Sequence, residues 1–575
     1  MFQKQKISPE KKRIFLDKNF DPLNQKHVKQ LIAFLQSEVP NDFQSASVWY
    51  GVFHEASCAI SEAHVRLELN LNLQNQNTSA EKTLAKFEEE VLSQLLSARS
   101  HLMQIYMESP WRNAMHLYDH ERILQDLQVR KKYSSPDLTA LQLEESKIIR
   151  EYKKFTYSAQ ILYLGQKISV SAIVGKIHDF DKTVREAAFI SYWNFIKENE
   201  EKFQDIFHRL LINRKNQANR VKIKNYTELA FCELGRIDYG PHECFILRHS
   251  ITKTVIPLIE KFSHLQKKSL KTDFIAPWDI SIWPDLLPQE NPAKGDLHCL
   301  IDSIQKIATK IHPAFGKLFF EMHKNHLIDI APRFGKSPGA FCVTFQESGV
   351  PFIFGNFSAS LKDAMTFLHE FGHAIHGYAV SNINNILLRY PGFEFCEMAS
   401  IGLELLASPF LTELWPNPKE ASKAFSSHLF HMLHFWPFMA MMDEWQHAIY
   451  STQDIPTAQE RNALWLDLSQ KYRPQVQWKN YEEFEALGWM SRPHIFTSPF
   501  YYIDYGIAQI GALQLWQKSK EDYNGAVNNY ISGLSLGGQQ SLQSLFKTVG
   551  IQFNFNEKML KSLCLEIEKE IQKNL

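Results

Sequence analysis

Apolar residues recur at three- and four-residue spacing, with Glu and Lys between them, over long stretches of the chain such as 81 to 107 and 138 to 166. That period marks helices with one buried face, so the fold expected is mainly α. The run Val65, Leu67, Leu69, Leu71, Leu73 alternates as a strand would, yet it lies between helical patterns, and periodicity alone leaves it open. A different texture fills 327 to 360, LIDIAPRFGKSPGAFCVTFQESGVPFIFGNFSAS, where Gly, Pro and Ser are mixed with short apolar and aromatic runs. Such a mixture predicts short strands joined by turns, a small sheet leading directly into the segment that begins at Leu361. From there Leu361, Ala364, Met365, Leu368, Gly372, Ile375 and Ala379 form one apolar stripe, and Ser360 with Asp363 can make a capping box. Pro391-Gly392 interrupts the pattern before a second helical stretch.

At 575 residues the chain exceeds one ordinary hydrophobic core, so two or more lobes are expected. Charge and periodicity place a boundary near 180, dividing a helical N-terminal lobe, 1–180, from a catalytic region, 181–575. Apolar residues at 44% and charged residues at 22% describe a globular protein. Lys plus Arg and Asp plus Glu balance at 63 each, which gives no reason to expect a nucleic-acid or anionic-membrane partner. The basic N-terminus is not followed by the apolar core of a signal peptide. No run approaches the roughly 18 apolar residues of a membrane span, so the expected location is cytoplasmic. The cysteines, Cys58, Cys232, Cys244, Cys299, Cys342, Cys396 and Cys564, are scattered without a C-x-x-C pair and are read as unbridged thiols.

Residues 369 to 373 read His-Glu-Phe-Gly-His, an HExxH pattern. At about 100° per residue, His369 and His373 lie about 40° apart on one helical face, so both imidazoles can reach one ion. Glu370 sits on the adjoining face, where a carboxylate can take a proton from water at the metal without ligating it. A catalytic zinc needs a third protein ligand and an open position. Glu394, Glu397 and Glu404 follow as candidates, with 397 and 404 on nearly the same face of the second helix. His376 shares the histidine face but stands about 10 Å along the helix from His369, too far for all three to surround one ion. It is read as local support. His116 with His120, and His428 with His431 and His434, lack the Glu that directly follows the first histidine of an HExxH pattern and are read as structural. Farther on, His494, Tyr501, Tyr502 and Tyr505 offer hydrogen-bond donors in a segment that composition alone describes as an aromatic core helix.

GKSPGAFC at 335 to 342, HEFGHAIH at 369 to 376, EMAS at 397 to 400 and HIFTSPFYYIDYG at 494 to 506 together resemble the thimet oligopeptidase and oligoendopeptidase F family of zinc metallopeptidases. The resemblance implies that Glu397 is the third zinc ligand and Glu404 a support for the ligands. It implies too that His494 and the tyrosines stabilise an oxyanion, the choice between Tyr501 and Tyr502 staying open. PFIFGNFSAS, 351 to 360, resembles the family strand whose edge pairs with the substrate backbone, and GKSPGAFC a flexible loop near the cleft.

The reading is therefore a mainly α, two-lobed helical metallopeptidase with a deep channel and a small β-sheet beside the HExxH helix. It would hold one Zn2+ per chain and cut short peptides internally with Glu370 as general base. The rivals are a zinc exopeptidase of carboxypeptidase type and a catalytically silent peptide-binding protein. The oligomeric state is left open.

Overall fold

The computed structural model describes residues 13–111, 120–133 and 136–575. Helices dominate, as the spacing predicts, and the strands form one two-stranded and one three-stranded sheet among the described residues. The chain forms two compact units, each assembled from three segments. The first comprises Met1–Gln128, Glu290–Pro416 and Gly511–Phe553, and the second Val129–Gln289, Asn417–Ile510 and Asn554–Leu575.

In the first unit the strand-like run 65–73 is the end of the helix Phe43–Leu73. Val65, Leu69 and Leu73, four residues apart, pack with Phe345, Val350, Phe352 and Phe354 of the sheet. An alternating run contains this helical stripe as a subset, which is why the pattern could not separate the two. The sheet orders Ile328–Asp329, Val350–Phe354 and Phe341–Phe345, with Val350–Phe354 in the centre. That strand pairs parallel with the first and antiparallel with the last, Cys342 opposite Ile353. The expectation of an exposed edge at 351–354 is therefore corrected. All five residues of Val350–Phe354 are buried, and the outer strand beside them is Phe341–Phe345.

The loop expected to be flexible is instead tethered. The Lys336 side chain is fully buried and donates to Asp329 Oδ1 at 2.8 Å, to the Asp329 and Ala331 carbonyls at 3.0 and 3.1 Å, and to the Gly355 carbonyl. Asn356 Nδ2 donates to the Ser337 carbonyl at 2.6 Å. An ammonium without water needs this set of acceptors, and satisfying it fixes the loop to two strands.

Leu361–Val380 is a helix capped as expected, with Ser360 accepting from the Asp363 amide and Asp363 accepting from the Ser360 amide. From Ala364 onward it is buried nearly all round rather than on one stripe. Two glycines permit this. A Cβ at Gly372 would stand 2.6 Å from Ser400 Cα of the helix Phe393–Leu406, and one at Gly377 would meet Thr344 Oγ1 of the outer strand at 2.0 Å. The helix thus lies backbone-close to both the second helix and the sheet. Phe393–Leu406 begins after Pro391-Gly392, as the interruption predicts.

In the second unit, the expected helix through 166 ends at Tyr157, and Gln160–Tyr163 pairs antiparallel with Gln166–Ser169. Leu164 and Gly165 take φ of 48° and 82°, the two positive angles that a two-residue hairpin turn requires. The unit's long helices, Pro241–Leu270 and Pro418–Ser451, pack together beside an aromatic core that includes Phe207, Trp445, Trp489 and Phe496. No helix among the described residues is long and apolar enough to cross a membrane. The cysteines are unbridged.

Candidate metal centre

His369 and His373 project from one face of Leu361–Val380, and Glu397 reaches them from Phe393–Leu406. One donor atom from each lies within 4.8 Å of the others. Glu397 Oε2 is 3.3 Å from His369 Nε2 and 3.8 Å from His373 Nε2. Donors bound tetrahedrally to zinc at about 2.0 to 2.1 Å stand about 3.3 Å apart, so the spacing suits one ion. Two imidazoles and a carboxylate are also the donor set of hydrolytic zinc sites. The histidines are 22% and 24% exposed and Glu397 9%, leaving one side of the group accessible.

Glu404, one heptad beyond Glu397, accepts a 2.7 Å hydrogen bond from His369 Nδ1. It fixes the ring so that Nε2 faces the other donors. Burial disfavours charge on His369, but Glu397 and Glu404 outweigh it and hold its pKa well above the ordinary value. This is a place that favours positive charge, whether proton or dication. Burial lowers His373 to about 4, keeping its lone pair available.

Glu370 is not one of the three converging donors, interacts electrostatically with all of His369, Glu397 and Glu404, and is 6% exposed. Burial raises its carboxyl to about 7, against the pull of His369 and a hydrogen bond from the Cys342 backbone. A dication beside it would lower that value again. Cys342 lies on the outer strand Phe341–Phe345, so the same carboxylate abuts the sheet edge. That neighbour was not visible in the sequence, because only the tertiary packing of helix on sheet creates it.

Other sequence candidates fall elsewhere. Glu394 is buried in the first turn of its helix and outside the donor group. His376 is 1% exposed among Tyr390 and Phe395, and burial drives it to about 3, a neutral core histidine. His428, His431 and His434 form no donor group. His116 and the side chain of His120 lie outside the described residues.

Within the second unit His494 sits on the short helix Pro493–Thr497, and Tyr505 on Ile503–Glu521. The His494 ring stacks on Tyr501 at 6.0 Å and meets Tyr502 edge-on at 5.1 Å, while Tyr505 lies 5.3 Å from Tyr501 and 5.7 Å from Tyr502. All four are half-buried, so they form a partly open polar cluster rather than the aromatic core that composition also allowed. Cys244, Asp443 and His447 make a second group with metal-like spacing. There the Arg248 guanidinium pairs with Asp443 and Arg236 also bears on the cluster. Two cations already balance its acids and oppose a third.

The model of Peptidase family M3 matches residues 303–565. The Oligoendopeptidase F homolog of Borreliella burgdorferi is 23% identical over 444 residues, 71% of this chain and 73% of that protein. Oligopeptidase PepF of Bacillus subtilis is 23% identical over 335 residues, 56% of this chain and 48% of the other. Among solved structures, PZ peptidase A with inhibitor 2 superposes with a TM-score of 0.88 at 24% identity, covering 97% of this chain and 99% of that one.

Proposed function

Because the chain belongs to peptidase family M3, we propose that it is a zinc-dependent endopeptidase that hydrolyses internal bonds of short oligopeptides. One zinc per chain would be held by His369, His373 and Glu397. The observation that carries this reading is the convergence of those three donors, with the Glu370 carboxyl buried next to them and outside the donor set. When bound, zinc supplies a Lewis acid that polarises the scissile carbonyl and acidifies water. Glu370 takes the proton from the attacking water on a carboxylate oxygen and delivers it to the leaving amine. A silent peptide-binding protein would have no use for a buried acid in that position. His494, Tyr501, Tyr502 and Tyr505 act as donors to the oxyanion, a role that rests on the resemblance of their segment and is supported by their partly open clustering.

Glu404 acts through His369. Glu404→Ala should weaken zinc affinity about 10- to 100-fold, measured by competition with a chelator, and unchanged affinity would remove Glu404 from the site. The outer strand Phe341–Phe345, which runs beside Glu370, offers its main chain to an extended peptide. A free peptide can add there, whereas a folded protein presents backbone that is already paired. One cleavable sequence should therefore be cut rapidly as a free peptide and at least tenfold more slowly as an exposed loop of a stable host. Equal rates would contradict the restriction to short peptides.

A further inference from the structure

Tyr501 donates its amide to the Ser498 carbonyl at 3.2 Å, closing the turn Ser498-Pro499-Phe500-Tyr501, and Phe500 takes a φ of 66°. Proline at the second position and positive φ at the third are the marks of a type II turn, whose third residue is ordinarily Gly or Asn. A phenylalanine persists there only where its surroundings over-determine the backbone. Three contacts do so. The Phe500 amide donates to Gln446 Oε1 at 2.8 Å, its carbonyl accepts from Arg236 Nη2 at 2.6 Å, and its fully buried ring lies 5.0 Å from His447 and 5.4 Å from Tyr450.

The same Arg236 nitrogen donates to Asp504 Oδ1 at 2.5 Å, and the Tyr239 hydroxyl donates to that oxygen at 3.1 Å. Arg236 and Asp504 are each 1% exposed. One guanidinium therefore grips the carbonyl just before Tyr501 and the carboxylate between Tyr502 and Tyr505. Its side chain is closed off from solvent.

We propose that Arg236 is a positioning residue, holding the strained turn at Phe500 and the start of the following helix so that Tyr501, Tyr502 and Tyr505 are aimed as oxyanion donors. This rests on the reading of those tyrosines given above. A glycine would make the bend without strain. The buried ring and the guanidinium instead remove the freedom a glycine would leave, and oxyanion donors act only within a few tenths of an ångström of their position. Misplacement by about 1 Å can cost about 10²-fold.

The test uses the full-length zinc-loaded enzyme and an end-blocked fluorogenic peptide. Arg236→Lys keeps the charge, but its shorter chain cannot bring a nitrogen to the Nη2 position that serves both acceptors. It should lower kcat about 10- to 10²-fold with KM and zinc content within about twofold. In a background carrying Tyr501→Phe, Tyr502→Phe and Tyr505→Phe, the same change should cost less than about threefold, because its targets are gone. An undiminished loss in that background, a loss that appears as raised KM or lost zinc, or an unchanged kcat would overturn the proposal. Normal turnover by the triple-tyrosine variant would overturn the donor reading itself, and the positioning role with it. Should Arg236→Lys fail to fold, Tyr239→Phe removes one hydrogen bond to Asp504 without removing a charge. It should lower kcat several-fold with the same dependence on the tyrosines, and an effect independent of them would count against the proposal.

Discussion

Glu370→Gln is expected to keep its zinc and its fold and to lose turnover by about 10² to 10⁴-fold, the usual contribution of a positioned general base. The amide matches the carboxylate in size and can still accept from the Cys342 backbone, so the packing of the helix against Phe341–Phe345 is preserved. It cannot accept a proton at neutral pH. Since Glu370 lies outside the donor group, metal analysis should return one zinc per chain. Loss of zinc in this variant would make Glu370 a ligand and remove the base from the mechanism.

Glu397→Ala should have the opposite signature, losing zinc and turnover together. Among the described residues its carboxylate is the acid that approaches both imidazoles, with Oε2 3.3 Å from His369 Nε2 and 3.8 Å from His373 Nε2. Removing it takes away a bond and the negative charge that offsets the dication. The loss should exceed the about 10- to 100-fold that follows deletion of an outer support. Elemental analysis after dialysis, with thermal melting to check the fold, would read it. Full zinc in Glu397→Ala with none in Glu370→Gln would reverse both roles.

The chemistry-bearing helix was legible because its signals are local. Ser360 and Asp363 cap it, HExxH sets two imidazoles one turn apart, and Gly392 opens the next helix. The choice of Glu397 over Glu394 and Glu404 was not contained in periodicity and came from the resemblance. What stayed hidden was tertiary. Leu69 reads as strand until the sheet that it packs against is known. Val350–Phe354 reads as an edge until both its neighbours are placed. The turn at Phe500 carries no glycine to announce a positive φ, because its conformation is imposed by Arg236 and Gln446, remote in the chain. Lys336 likewise looks solvated in GKSPG, and only its four acceptors explain its burial.

The most direct measurement is mass spectrometry of a peptide of about ten residues, acetylated at one end and amidated at the other, incubated with the enzyme, with enzyme plus chelator, and with chelated enzyme resupplied with zinc. Water attack at an internal bond with Glu370 as base predicts two complementary internal fragments that vanish with the chelator and return with zinc. An uncut blocked peptide, with single residues lost from one end when the same sequence is supplied with free ends, or cleavage indifferent to the chelator, would contradict the account.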